Sequence, residues 1–320
     1  MDQSDITQPM AAQPISSNPM GQPMLRSSQV GSCPTCGTQP QASRAGSCPT
    51  CGTQPQPNVA LGGGSFVYAI GAIEPRFPRP SVEKEFAQVM GRAETKGLTD
   101  RQALRKVLQE RQNRYLVRQL CWIMTIGGLE TYVVMPRDPM DFDLLVETLR
   151  PAHSSVDLDV IIGVRGGIAT PDMCGGLSIP IVAFDALYSF ERKSLVEAIP
   201  RPDKTPAKEF ADAAEELFGR IIQMTNNSGI SDQHRALNYL AVRYPAIYAQ
   251  TAERFAANAS LTAVDVRPSA LSGTRKIVDV IFSYRHRATD VVEKYAVGVD
   301  IGEEFPYLAY KLTPYFDRMP

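Results

Sequence analysis

The chain has 320 residues, enough for one large domain or two small ones. Its 33 basic and 34 acidic residues leave a net charge of −1, so nothing electrostatic points to nucleic acid or an anionic membrane as partner. The hydrophobic fraction of 43% is that of an ordinary globular protein, and no apolar run approaches the ~20 residues of a membrane span.

Residues 1–64 are poor in apolar side chains and rich in Pro, Gln, Ser and Gly, a composition that predicts a disordered tail. Within it an eleven-residue block, GSCPTCGTQPQ, occurs twice, at Gly31–Gln41 and again at Gly46–Gln56. Each copy carries a CPTCG knuckle, so Cys33, Cys36, Cys48 and Cys51 form two C-x2-C pairs. C-x2-C places two thiolates on one tight turn, and two such turns supply the four sulfurs of a closed, structural Zn2+ site. The eleven residues between Cys36 and Cys48 are fewer than the roughly 15–20 of a zinc ribbon. Three other readings stay open: a redundant duplication in a tail, disulfides, and knuckles paired between two chains of a homodimer. The polar N-terminus does not read as a signal peptide, which predicts a cytoplasmic protein in a reducing compartment and disfavours disulfides.

The folded part is expected over residues 65–320. Phe66–Ile73 reads as a first strand, ended by Pro75, Pro78 and Pro80. Ser81 then caps a helix reaching about Thr95. Thr99-x-x-Gln102 fits a capping box and opens a second helix over Thr99–Arg114. Two apolar runs flank Gly127-Gly128 as in a hairpin. Asp138–Leu149 reads as a helix opened by Asp and Pro, and 157–164 and 179–184 read as buried strands. A long amphipathic helix over Lys204–Thr225 is broken by Asn226-Asn227-Ser228-Gly229. Ser231 caps a further helix, which Pro245 kinks or divides. The stretch from Ile277 to Gly302 alternates like two antiparallel strands around Ala288-Thr289-Asp290. Strands and helices mix without a βαβ rhythm, so the fold class is α+β, with a mixed, largely antiparallel sheet and packed helices.

Few residues carry chemistry. His153 falls in a loop, His234 in the first turn of a helix and His286 in a strand between Arg285 and Arg287. None accompanies a nucleophile motif, and GxSxG, HExxH and Walker patterns are absent. Gly163-Val164-Arg165-Gly166-Gly167 lacks the phosphate-loop register and reads as a strand exit. Cys174, on a glycine-rich loop, reads as packing or a reactive thiol, and Cys121 beside Trp122 reads as core. Asp157 and Asp159 share a strand face and receive no role, while Asp138, Asp141 and Asp143 suit a helix start.

Several long stretches, FVYAIGAIEPRFP, SVEKEFAQVMGRAETKGLTDRQAL, NRYLVRQLCWIMTIGGLETYVVMPRDP and NNSGISDQHRALNYLAVRYP, resemble the C-terminal domain of the PatG-type cyanobactin maturation proteins. The resemblance covers about Ser65–Pro320, here read as a stand-alone protein, and the CPTCG tail resembles the linker before that domain in some members. In the family a subtilisin-like protease domain cuts and macrocyclises a ribosomally made precursor peptide. This chain carries no protease motif, and the family offers no agreed catalytic residues. The resemblance therefore implies a non-catalytic accessory or binding module that recognises a precursor peptide or scaffolds a subtilisin-like maturation protease. Two alternatives remain: a peptide-modifying enzyme using Cys174, His153 or His234, and an oligomerisation domain tied by zinc.

Overall fold

In a computed structural model of the chain, residues 65–92, 97–150, 157–201, 206–223 and 227–317 are described. The cysteine-bearing tail, with its expected zinc site, and His153 lie outside them.

The first sheet is a closed five-stranded barrel. Its strands are β1 (Phe66–Arg76), β2 (Cys121–Ile126), β3 (Leu129–Pro136), β4 (Leu158–Ile168) and β5 (Pro180–Phe190), in the order β1-β2-β3-β5-β4. All pairings are antiparallel except β3 with β5, where Val133 to Pro136 lie beside Ile181 to Phe184 in parallel. Gly127 and Gly128 both have positive φ, 58° and 84°, which is the tight hairpin turn that joins strands of native twist. α1 (Pro80–Arg92), α2 (Asp100–Gln109), α3 (Arg114–Gln119) and α4 (Phe142–Glu147) cover part of this barrel.

Most barrel strands are buried on both faces, which is why they read as unbroken apolar runs rather than alternating ones. Along β1, Val67, Ala69 and Ile73 join Trp122, Met124, Tyr132, Val134, Ile161, Val182 and Phe184 in one core, shared with α1–α4. Tyr68 and Ile70 face the other way, with Val160 and Ile162, into a second core. That core is built with α5 (Arg192–Ala198), α6 (Ala207–Ile222), α7 (Asp232–Arg243), α8 (Ala246–Ala256) and the second sheet. A small third core lies on the remaining flank, where Cys121, Ile123, Val133 and Ile181 meet Ala169 and Cys174.

The second sheet is four-stranded and antiparallel, ordered β6 (Ala259–Pro268), β7 (Ile277–His286), β8 (Val292–Asp300), β9 (Tyr307–Tyr315). Its Val278, Val280, Phe282, Tyr284, Val297 and Val299 pack into the core shared with α5–α8. Polar groups also tie the barrel to α7 and to the segment before it. Tyr68 N donates to Gly229 O at 2.9 Å, and Asn238 Nδ2 donates to Tyr68 O at 2.8 Å. Asn238 and Asn227 bond each other, and Tyr132 OH reaches Ser228 O at 2.7 Å. Gly229 has φ +77°, and a Cβ there would collide with the Tyr68 carbonyl, so the expected Asn-Ser-Gly break is a buried latch onto β1.

The α+β class is borne out, with two sheets where one was expected. β1 runs through Pro75 to Arg76, and α1 begins at Pro80, so Ser81 lies inside the helix and not before it. The Thr99–Gln102 capping box is present, but the helix it opens stops at Gln109, and a 3-10 turn precedes α3.

Candidate functional site

Among the described residues, His234, His286 and Cys174 fall on three separate parts of the fold: α7, β7 and the connection between β4 and β5. His234 sits at the start of α7, where its backbone N–H donates to the capping Ser231 Oγ at 3.1 Å. Burial depresses its pKa. His286 closes the β7–β8 turn: its Nδ1 accepts from Thr289 N at 3.2 Å and Ala288 N at 3.3 Å. Gly163–Gly167 is strand interior, with β4 continuing to Ile168, so it is neither a phosphate loop nor a strand exit.

Cys174 is not a free thiol. It forms a disulfide with Cys121 across 53 residues, with Cα atoms 5.4 Å apart. Both cysteines are buried, as packing required, but their pairing was missed. The physical reason is plain: β2 and the 169–179 excursion meet only when the barrel closes, and sequence distance gives no sign of it.

Asp159 turns out to be a structural clamp. Its carboxylate accepts from Ile73 N at 2.7 Å and Ser189 Oγ at 2.5 Å, tying β4 to β1 and β5. Burial outweighs these bonds and raises its pKa to about 6.

One titratable cluster was not anticipated. Glu304, in the β8–β9 connection, faces Asp185 on β5, and Arg137 lies 2.9 Å from Asp185 and 3.7 Å from Glu304. Burial, then the hydrogen bond and charge of Asp185, push Glu304 up to about 8. Arg235 holds the same connection, donating to Ile301 O at 2.7 Å and to Glu303 O, with its guanidinium 5.2 Å above the Phe66 ring. No local motif marks this cluster, because its members come from four separated segments.

The sheet edges differ in how their backbone groups are satisfied. The barrel has no edge. On β9 the outward N–H of Leu312 meets Tyr244 OH at 3.0 Å, the N–H of Leu308 meets the Tyr239 hydroxyl, and Pro314 has no N–H. On β6 the ladder phase is set by Ser269 N donating to Ile277 O at 3.0 Å. Ala263, Asp265 and Arg267 then direct their backbone groups to β7, and Val264 and Val266 direct theirs away. Among the described residues, no hydrogen bond covers those outward groups. The Val264 and Val266 side chains are half-buried against the second core, and Thr262, Asp265 and Arg267 are exposed on the opposite face.

Among the described residues, no group of three or more His, Cys, Asp or Glu could hold a metal ion, and no helix is long and apolar enough to cross a membrane.

An α+β protein of barrel plus edge-bearing antiparallel sheet is thus defined, and the comparisons agree with it. Residues 204–315 match the PatG C-terminal family. Among solved structures, the chain is similar to one described as "PatG Domain of Unknown Function", with a TM-score of 0.64 and 16% identity over 79% of this chain and 99% of that one. The resemblance drawn from the sequence is borne out by these two findings. No curated protein matches.

Proposed function

We propose that this chain is a non-catalytic accessory module of ribosomal-peptide maturation that takes an extended stretch of precursor peptide as an added strand along β6. The observation that carries the reading is the open edge at Val264 and Val266, in a protein whose barrel has no edge and whose β9 is blocked. β-augmentation draws affinity from main-chain hydrogen bonds and specificity from alternate side chains. An added strand beside β6 would lay alternate apolar side chains next to Val264 and Val266 and polar ones beside Asp265 and Arg267. The PatG likeness supplies the setting: a precursor peptide and a subtilisin-like maturation protease as partners. In the same proposal the tail cysteines Cys33, Cys36, Cys48 and Cys51 hold Zn2+, within one chain or between two, and the protein is cytoplasmic.

The test uses overlapping synthetic segments of a ribosomal precursor peptide and amide hydrogen exchange of the full chain. Binding should slow exchange at Val264 and Val266. Val266→Pro removes one outward N–H and no bond to β7, so the barrel amides should keep their protection while peptide binding falls about tenfold or more. Protection elsewhere, or binding unchanged by Val266→Pro, would refute the β6 site. Protection of β6 that grows with protein concentration in the absence of peptide would identify it instead as a homodimer seam.

A further inference from the structure

The Cys121–Cys174 disulfide is part of the wall of a cavity of about 540 Å³. Trp122, Val134 and Phe142 contribute apolar lining, and the exposed Ser81, Arg118 and Asp172 also line it. Both cysteines line this space, with 4% and 1% of their surfaces exposed.

The segment that brings Cys174 there is an excursion between β4 and β5. Its base is closed by Ala169 N donating to Ile179 O at 2.8 Å. Its other backbone bonds stay inside it: Met173 N to Thr170 O at 3.0 Å, Gly176 N to Pro171 O at 2.6 Å and Leu177 N to Cys174 O at 3.3 Å. Gly175 and Gly176 turn it with φ of +61° and +96°. Among the described residues, no backbone hydrogen bond ties 170–178 to the barrel. The segment is held by the disulfide and by the small third core, to which Met173, Leu177 and Ile179 add.

We propose that Cys121–Cys174 is a redox site reached by a small soluble thiol through this cavity, and that its reduction releases residues 169–179 from the barrel flank. In the first step a thiolate RS⁻ attacks one of the two sulfurs. An RS–S bond forms, the Cys121–Cys174 bond breaks, and the displaced cysteine leaves as a thiolate that takes a proton from solvent. A second RS⁻ attacks the mixed disulfide, releasing RSSR and the second cysteine thiolate, which is likewise protonated. Two thiols are oxidised and the protein disulfide gains two electrons. In a reducing compartment intramolecular disulfides are transient, catalytic or redox-sensing, and access from a cavity suits that use. The site is independent of the peptide edge on β6.

The experiment treats the full chain with 2-mercaptoethanol under native conditions. Timed samples are alkylated, and peptides bearing Cys121 and Cys174 are quantified separately from those bearing the tail cysteines. Hydrogen exchange is followed in parallel. Reduction should run about tenfold or more faster than exchange at the core amides of Val160 and Ile161, which open only with the whole barrel. After reduction, amides 170–178 should exchange faster while β2 and β3 stay protected. Ser81→Trp, which narrows the cavity from an exposed position on α1, should slow reduction about threefold or more with core exchange unchanged. Reduction no faster than core opening would make the bond a sealed cross-link and overturn the proposal. So would a segment equally protected in both redox states, or a rate untouched by Ser81→Trp.

Discussion

The barrel and the four-stranded sheet solve the same edge problem differently. Closing β1-β2-β3-β5-β4 abolishes every edge, and β1, β4 and β5 are covered on both faces. The second sheet stays open and treats its two sides unequally. β9 is blunted by two tyrosine hydroxyls and a proline, whereas β6 keeps a bare rim. A protein that needed only stability would cover both rims. In the reading proposed above, that asymmetry is what would make the sheet, and not the barrel, the recognition element.

The largest effect is expected where the barrel loses its central side chain. Trp122 is 1% exposed and its Nε1 donates to Val117 O at 3.0 Å, joining β2 to α3. Trp122→Ala should cost about 3–5 kcal/mol in chemical denaturation and unfold the barrel and sheet together if they share one transition. Two separated transitions, with β7 and β8 amides surviving the first, would show that the sheet folds alone.

A smaller effect is readable in pH. Asp159 has a folded pKa near 6, above that of an unfolded aspartate, so the folded state binds its proton more tightly. Its contribution is therefore complete below about pH 4 and is lost as pH rises through 6, a change on the order of 2–3 kcal/mol. Asp159→Asn keeps an acceptor for Ile73 N and offers Ser189 a donor. Its stability should be flatter than that of the parent between pH 4 and 7, and an identical slope would mean the parent carboxylate pays no such burial cost.

Local signals were legible in the sequence where chemistry is local. The Thr99–Gln102 box, the Gly127-Gly128 hairpin and the Ser231 cap all appear where their residue types demand them. The strands of the barrel were visible as apolar runs, but their closure was not, because the parallel β3–β5 pairing depends on two segments about 45 residues apart finding each other. β6 and β9 escaped notice for a related reason. As edge strands they mix Thr, Asp, Arg, Lys and Pro into their apolar pattern, which weakens the period-2 signal. The Arg137–Asp185–Glu304 cluster and the Cys121–Cys174 bond share that origin: each exists only once distant strands are neighbours.

The smallest change is the sharpest test of the edge argument. Tyr244→Phe deletes the hydroxyl that accepts the Leu312 N–H at 3.0 Å and leaves the ring packed on the second core. Loss of one part-buried hydrogen bond should cost about 0.5–1.5 kcal/mol. The informative readout is the rim itself. With its cap gone, β9 gains an outward N–H, and faster exchange of the Leu312 amide should follow. If capping by Tyr244 is what reserves recognition for β6, the variant should show a second, weaker peptide-protected stretch at β9 while Val264 and Val266 behave as before. Should β9 stay silent, Pro314 and Tyr239 suffice to close that side, and the contrast between the two edges rests on them.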